Sequence, residues 1–241
     1  MFHPSSQVAF KPDLIFQRKE MEIFKIMKSI WIIGAGRMGV KAADVLIHKN
    51  PDSEITLVDK DLTVCKKSSK PFFKVVCMDG VLFLHENLRR PDYPDWIIPA
   101  APIHVAYEWI RLKLSKKYRL ETISVPDQVV MSLPNPFRGE AGQVYISNAD
   151  FICPSNCPEP EEICTYTGKP RPRILHDFLE SIQYDDFRSV VVKSQQLSSG
   201  IGGYTPKAIF KALRQVEKSR SSVLFSTACR CHGVMHAFKF L

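Results

Sequence analysis

The stretch Ile30-Trp31-Ile32-Ile33-Gly34-Ala35-Gly36-Arg37-Met38-Gly39 decides how the rest of the chain is read. Four apolar residues run into a glycine-rich turn. An amphipathic segment follows, and a second apolar run, Ile55-Thr56-Leu57-Val58, ends on Asp59. A dinucleotide-binding βαβ unit requires this order. Gly34 permits the tight turn from strand to helix, Gly36 removes a side chain where backbone must approach a pyrophosphate, and Gly39 lets the helix pack closely on the strand. A helix opening at Arg37 and Met38 presents N–H groups and a partial positive charge to the phosphates. Asp59 stands where a carboxylate accepts hydrogen bonds from ribose hydroxyls and repels a 2′-phosphate, so NAD(H) is favoured over NADP(H). Lys60, directly after it, tempers that preference.

Outward from this unit the chain alternates. Strands are expected at Ser29–Ile33, Glu54–Val58, Phe72–Val76, Asp95–Ile98 and Leu120–Val125, with helices over Arg37–Lys49, Val81–Leu88 and about 103–114. Such alternation argues for an α/β fold, a doubly wound Rossmann-like parallel sheet with helices on both faces, over residues 29–125. Residues 126–173 are rich in Pro, Gly and Cys and read as an embedded cysteine-rich insertion. Residues 174–241 read as a C-terminal α/β portion that completes the same sheet through Ser189–Val192 and Ser222–Ser226. Thr205 and Pro206 open a helix between those strands. Val234, Ala237, Phe238 and Leu241 are expected to form a closing helix. Residues 1–28 show no clear period and read as a leader. A short helix is expected over Glu20–Lys28, and Met21 and Met27 are alternative starts.

The first strand and turn, Ile32 to Gly39, and the second strand, Ile55-Thr56-Leu57-Val58-Asp59-Lys60-Asp61, together resemble known NAD(P)-binding domains. These are the domains of saccharopine-dehydrogenase-like proteins and of TrkA-type potassium-transport regulators. The resemblance covers about residues 29–114. It implies an Asp near the adenine after the third strand, and Asp79 is the matching position. The cysteine-rich segment and the C-terminal part match neither family, so no activity is carried over.

The cysteines point to further chemistry. Cys65 and Cys77 are isolated and read as inert. The other five form two groups, Cys153/Cys157/Cys164 and Cys229/Cys231. Thiolates bind Zn²⁺ and iron–sulfur clusters, so these five are candidate metal ligands. Cys229 and Cys231 are also candidate nucleophiles or redox thiols, on the expectation that Arg230 and a following helix N-terminus lower their pKa. Gly200-Ile201-Gly202-Gly203 resembles a turn that could cradle a small anionic substrate. His104, after the fourth strand, is a candidate general acid or base, and His176 and His232 are further histidines of the same kind, with His176 expected on the surface.

Composition narrows the classes. A net charge of +8 favours anionic partners in principle, but no nucleic-acid motif accompanies the basic residues, and a solvated basic surface accounts for them. No window reaches the ~18–20 apolar residues of a membrane span. With no secretory signal, a cytoplasmic setting with reduced thiols is expected, and a homo-oligomer is left open. The expectation is an NAD(P)-binding redox protein with a cysteine-ligated metal, Zn²⁺ or an iron–sulfur cluster, near the nucleotide. The alternative is a non-catalytic, NAD(H)-responsive module with a structural zinc.

Overall fold

The computed structural model describes residues 27–89 and 91–241. The leader up to residue 26, and with it Met21 and most of the helix expected at Glu20–Lys28, lies outside the described residues. Met27 is buried, and its carbonyl accepts hydrogen bonds from Asn50 Nδ2 and Ser53 Oγ, both at 2.8 Å.

Four parallel strands form the first sheet: β1 (Ser29–Ile33), β2 (Glu54–Asp59), β3 (Phe73–Cys77) and β4 (Trp96–Pro99), in the order β3-β2-β1-β4. Helix α1 (Arg37–Lys49) joins β1 to β2, α2 (Leu62–Ser68) joins β2 to β3, and α3 (Gly80–Asn87) joins β3 to β4. The period of 3.6 in α1 puts Gly39, Ala42, Ala43 and Leu46 on its buried face, against Ile30, Ile32, Ile55 and Leu57. The opposite face of the sheet, with Ile33, Val58 and Ile97, packs on α3 and on α4 (Val105–Leu114). Each Ile or Leu so buried contributes roughly 1.5–3 kcal/mol.

The chain does not extend this sheet, as its sequence suggested, but builds a second one. Strands β5 (Leu120–Ile123), β6 (Phe137–Arg138), β7 (Val144–Ser147), β8 (Arg188–Lys193), β11 (Val223–Ala228) and β12 (His232–Phe240) belong to it. Strand β11 lies between β8, parallel, and β12, antiparallel. The other edge of β12 pairs first with β7 and then with β5. The fifth strand is therefore a member of the second sheet, and the expected closing helix is a nine-residue strand. The reason is burial on both faces. Met235 and Ala237 pack on α5 (Asp127–Ser132) and α6 (Leu175–Glu180), while Phe238 packs on α4 and α7 (Pro206–Ser219). A strand buried on both sides loses the polar–apolar alternation that marks a strand in sequence.

The free edge of β4 is met by the hairpin of β9 (Gln195–Ser198) and β10 (Ile201–Gly203), through an antiparallel bridge between Ile97 and Tyr204. The cluster containing Trp109, Ile110, Ile209 and Val216 touches strands of both sheets and joins the two halves into one core. Residues 126–147 are not an excursion, because Val129, Leu133, Val144 and Ile146 are core residues of the second sheet. The irregular segment is shorter, from about 148 to 174. No helix among the described residues is long and apolar enough to cross a membrane.

Candidate functional site

The glycine turn sits at the carboxyl edge of β1, and its three glycines have different surroundings. Gly34 has φ +109°, and a Cβ there would lie 2.6 Å from Ala101 N, in the segment just after β4. Gly39 sits so close to the turn that a Cβ would lie 1.9 Å from the Gly34 carbonyl oxygen. A Cβ on Gly36 would meet nothing within 4 Å, so this glycine faces open space. Gly36 is also the N-cap of α1, and no side chain caps that helix or places an acid in its first turn. The helices after β2 and β3 differ. Asp61 Oδ1 caps α2 through Thr63 and Val64 N–H, and Asp79 Oδ1 caps α3 through Val81 and Leu82 N–H. Acceptors from the chain itself serve α2 and α3, whereas no side chain caps the start of α1. Arg37, Met38 and Lys60 are exposed around this edge.

Asp59 is the last residue of β2 and turns back to the glycine turn. Its Oδ2 accepts from Ala35 N at 2.8 Å, and its Oδ1 accepts from Asp61 N at 3.0 Å. The carboxylate thus holds the turn, with lone pairs remaining for a ligand hydroxyl. Asp79 combines helix capping with its place at the end of β3. Cys65 and Cys77, expected to stand apart, have sulfurs 2.6 Å from each other just behind Asp59, and the Cys65 thiol donates to the Asp59 carbonyl. Burial and the neighbouring Cys77 push the Cys65 thiol up to about 11.

The two cysteine groups, far apart in sequence, meet. Cys153, Cys157, Cys164, Cys229 and Cys231 all line one cavity of about 730 Å³, and Met38 of the glycine turn lines it too. Cys153 and Cys157 lie in the loop after β7. Cys164 lies in a turn closed by the bridge between Ile163 and Pro170, and Cys229 and Cys231 lie in the β11–β12 hairpin. All five thiols are half-buried. Among the described residues, no three His, Cys, Asp or Glu side chains are grouped closely enough to hold one metal ion.

The hairpin changes the expected chemistry of Cys229. A strand, not a helix, follows it, and Arg230 turns its guanidinium to Glu161 at 3.1 Å. Burial, and then the adjacent Glu159 carboxyl, raise the Cys229 thiol well above its ordinary value, against the activation expected of it. Cys229 Sγ accepts N–H bonds from Cys231 at 3.4 Å and His232 at 3.3 Å, which closes the hairpin. Burial also raises Cys231, opposed by Arg171, whose Nε donates to its sulfur at 2.9 Å. At Cys164 burial works upward, but N–H bonds from Thr167 and Tyr166, with Arg171 nearby, bring the thiol below its ordinary value.

Two participants were not visible in sequence. Glu159 is buried at φ +50° and accepts from Arg230 N at 2.6 Å. Arg171 ties Cys231 to the carbonyls of Pro160 and Glu161. Neither a Cys-Pro-Glu-Pro loop nor a Lys-Pro-Arg-Pro loop announces a buried partner by its composition. Gly200, expected in an anion-binding turn, lies at the β9–β10 hairpin, and its N–H donates to the Cys157 carbonyl at 3.0 Å. Gly200 and Gly202 line the cavity, where Ser155 packs directly on Gly200.

His104 is buried, and its ring lies between two partners. Its Nδ1 is 2.9 Å from His236 Nδ1, and its Nε2 is 2.9 Å from Thr227 Oγ1. Only Thr227 of these three lines the cavity, so His104 reaches it through a hydroxyl. His232 lines the cavity directly, and burial lowers its pKa. His176 is half-buried beside Asp177, 2.9 Å away, and not on the open surface.

Burial holds His104 well below the usual imidazole range and lowers His236 to about 4. An unfolded imidazole titrates near 6.5, so the unfolded chain binds more protons between those values. The stability tied to His236 is therefore complete above about pH 6.5 and is lost on acidification toward 4. We predict that acidification from pH 6.5 to 5 costs about 1–2 kcal/mol through His236, after allowance for solvent screening. Urea unfolding at the two pH values measures this. Equal slopes of stability against pH in the wild type and in His236→Gln would contradict it.

The geometry defines a mixed α/β protein in which a glycine turn and a thiol-lined cavity adjoin. The chain belongs to the AF_1314_C family, "Uncharacterized protein, C-terminal domain", whose model matches residues 106–241. That region takes in the whole second sheet and all five cavity cysteines. The chain is also 33% identical over 226 residues to a protein of Archaeoglobus fulgidus described as uncharacterized, covering 86% of this chain and 98% of that one. No solved structure matches the chain.

Proposed function

We propose that this protein binds NAD(H) at the carboxyl edge of its first sheet and serves a redox function in the thiol-lined cavity beside it. The observation that carries the reading is Gly36, open on its Cβ side at the uncapped start of α1, while Gly34 and Gly39 are fitted so tightly that no larger residue enters. Tight first and third glycines with an open second one are what the dinucleotide motif asks of these positions. The strand order β3-β2-β1-β4 agrees with the first half of a doubly wound, Rossmann-like sheet. Its switch point lies between β1 and β4, where Gly34 meets Ala100 and Ala101. On this reading Gly34, Gly36 and Gly39, with the N–H groups of Arg37 and Met38, take the pyrophosphate. Asp59 takes the ribose, and Asp79 lies toward the adenine. Met38, shared between the turn and the cavity, directs the redox end of the nucleotide to the sulfurs.

A hydride carrier supplies two electrons when bound. The chain's own part is to fix the ligand and to keep the cavity partly closed to water. The alternative with a structural zinc requires several ligands around one ion, and no three of the described side chains are grouped to hold one.

Asp59 gives the test of cofactor choice. Asp59→Ala removes the charge that opposes a 2′-phosphate and frees the Ala35 N–H. We expect the preference for NADH over NADPH to shrink by about tenfold, or about 1.4 kcal/mol. The ratio of the two dissociation constants is the readout, and an unchanged ratio would remove Asp59 from the ribose.

A further inference from the structure

We propose that Cys153, Cys157, Cys164 and Cys231 ligate an iron–sulfur cluster in the cavity beside the glycine turn. The proposal goes beyond the dinucleotide reading and stands without it.

The sulfurs are brought together by the tertiary fold. They come from three separate segments, the loop after β7, the Ile163–Pro170 turn and the β11–β12 hairpin, yet they line a single hollow of about 730 Å³. Cysteines kept merely as small buried hydrophobes have no reason to converge in this way. Cys229 is set apart. Its sulfur accepts the N–H groups of Cys231 and His232 that close the hairpin. Four sulfurs thus form the ligand set, and the fifth shapes the turn that presents one of them.

The surroundings suit ligation by thiolates. Cys164 accepts N–H bonds from Tyr166 and Thr167, and Cys231 accepts from Arg171 Nε. Such donors stabilise a thiolate and orient it toward a metal. The backbone at Cys157 is fixed through its carbonyl, which accepts from Gly200 N and Gln196 Nε2. Lys169 and Arg171 on the cavity wall offset the negative charge that several thiolates bring.

The size of the hollow bears on the kind of centre. A zinc ion with Zn–S near 2.3 Å draws its tetrahedral sulfurs to within about 4 Å of one another. Among the described residues, no three His, Cys, Asp or Glu side chains are grouped to hold a single metal ion. A cluster places its own iron and sulfide between the protein thiolates, so its ligands stand farther apart around a larger hollow. Four sulfurs on one roomy cavity fit the second description.

The test is anaerobic purification of the full chain, cluster reconstitution with ferric iron, sulfide and a thiol reductant, and assay of iron, acid-labile sulfide, zinc and visible absorption. The expected product is brown, with iron and sulfide in equal amounts. Cys153→Ser and Cys231→Ser should lower bound iron by about tenfold, while Cys229→Ser and Gly36→Asp keep it. Circular dichroism verifies that each variant is folded. Folded wild-type protein that takes up no iron and sulfide, or that is colourless with stoichiometric zinc, overturns the proposal. So does loss of iron from folded Cys229→Ser with retention in Cys231→Ser. The Gly36→Asp arm separates this result from any failure of nucleotide binding.

Discussion

Replacing Gly36 by Asp is expected to abolish NAD(H) binding while leaving the protein as stable as the wild type or slightly more so. Open space at this position separates the two effects. A Cβ at Gly36 meets nothing within 4 Å, and the backbone there, at φ −67° and ψ −172°, accepts any residue. Asp is moreover a good N-cap, and replacing Gly by Asp at this position is worth a few tenths of a kcal/mol to the helix. On the proposed reading, the same carboxylate stands in the path of the pyrophosphate. Two charges about 4 Å apart repel by about 4 kcal/mol at an effective dielectric constant near 20, so a loss of about 100-fold in affinity is a conservative figure. Titration with NADH and a thermal melt on the same preparation separate the two effects. Undiminished affinity in a folded variant would place the nucleotide elsewhere.

Gly39→Ala should act in the opposite way and unfold the site. A Cβ there would lie 1.9 Å from the Gly34 carbonyl oxygen and 2.9 Å from its carbon. These are backbone atoms of the turn, whose Gly34 N–H is itself held by the Val58 carbonyl at 2.7 Å. Neither side can yield without moving α1 off β1, and a loss of about 3 kcal/mol or more is expected. Urea denaturation gives the number. Gly36→Ala, three residues earlier, should change stability by about 1 kcal/mol at most. Equal effects of the two alanines would mean that close packing of the turn is not what fixes these glycines.

The contrast between these glycines was legible in the sequence because their context was complete. An apolar strand, a helix with one small-residue face and an acid after the second strand together specify the first sheet. The second sheet was less legible. Strand β12 carries Met235, His236, Ala237 and Phe238 buried in succession, so period gave no sign of a strand. The hairpin at Cys229–Cys231 then looked like a strand handing over to a helix. That misreading also produced the expectation of an activated Cys229, which burial and then the nearness of Glu159 reverse where no helix follows. Strand β5 was read as the next parallel strand because its own residues do not tell which neighbour it meets. Its partner, Ala237–Phe240, is more than a hundred residues away.

The cysteines show the same division. Sequence spacing marked two groups, but only the tertiary arrangement puts both on one cavity and adds Met38 of the glycine turn. Cys65 and Cys77 looked unrelated, yet a parallel register that sets Cys77 opposite Asp59 brings them into contact. His236 gave no signal at all. Its pairing with His104 depends on β12 being a strand that passes beside the start of α4.

The central claim is that a dinucleotide occupies the glycine turn. Equilibrium titration of the folded full chain with NADH and NADPH, followed by nucleotide fluorescence, tests it most directly. The account predicts saturable binding at one nucleotide per chain, tighter for NADH than for NADPH. A folded chain that shows no saturable binding of either would contradict it.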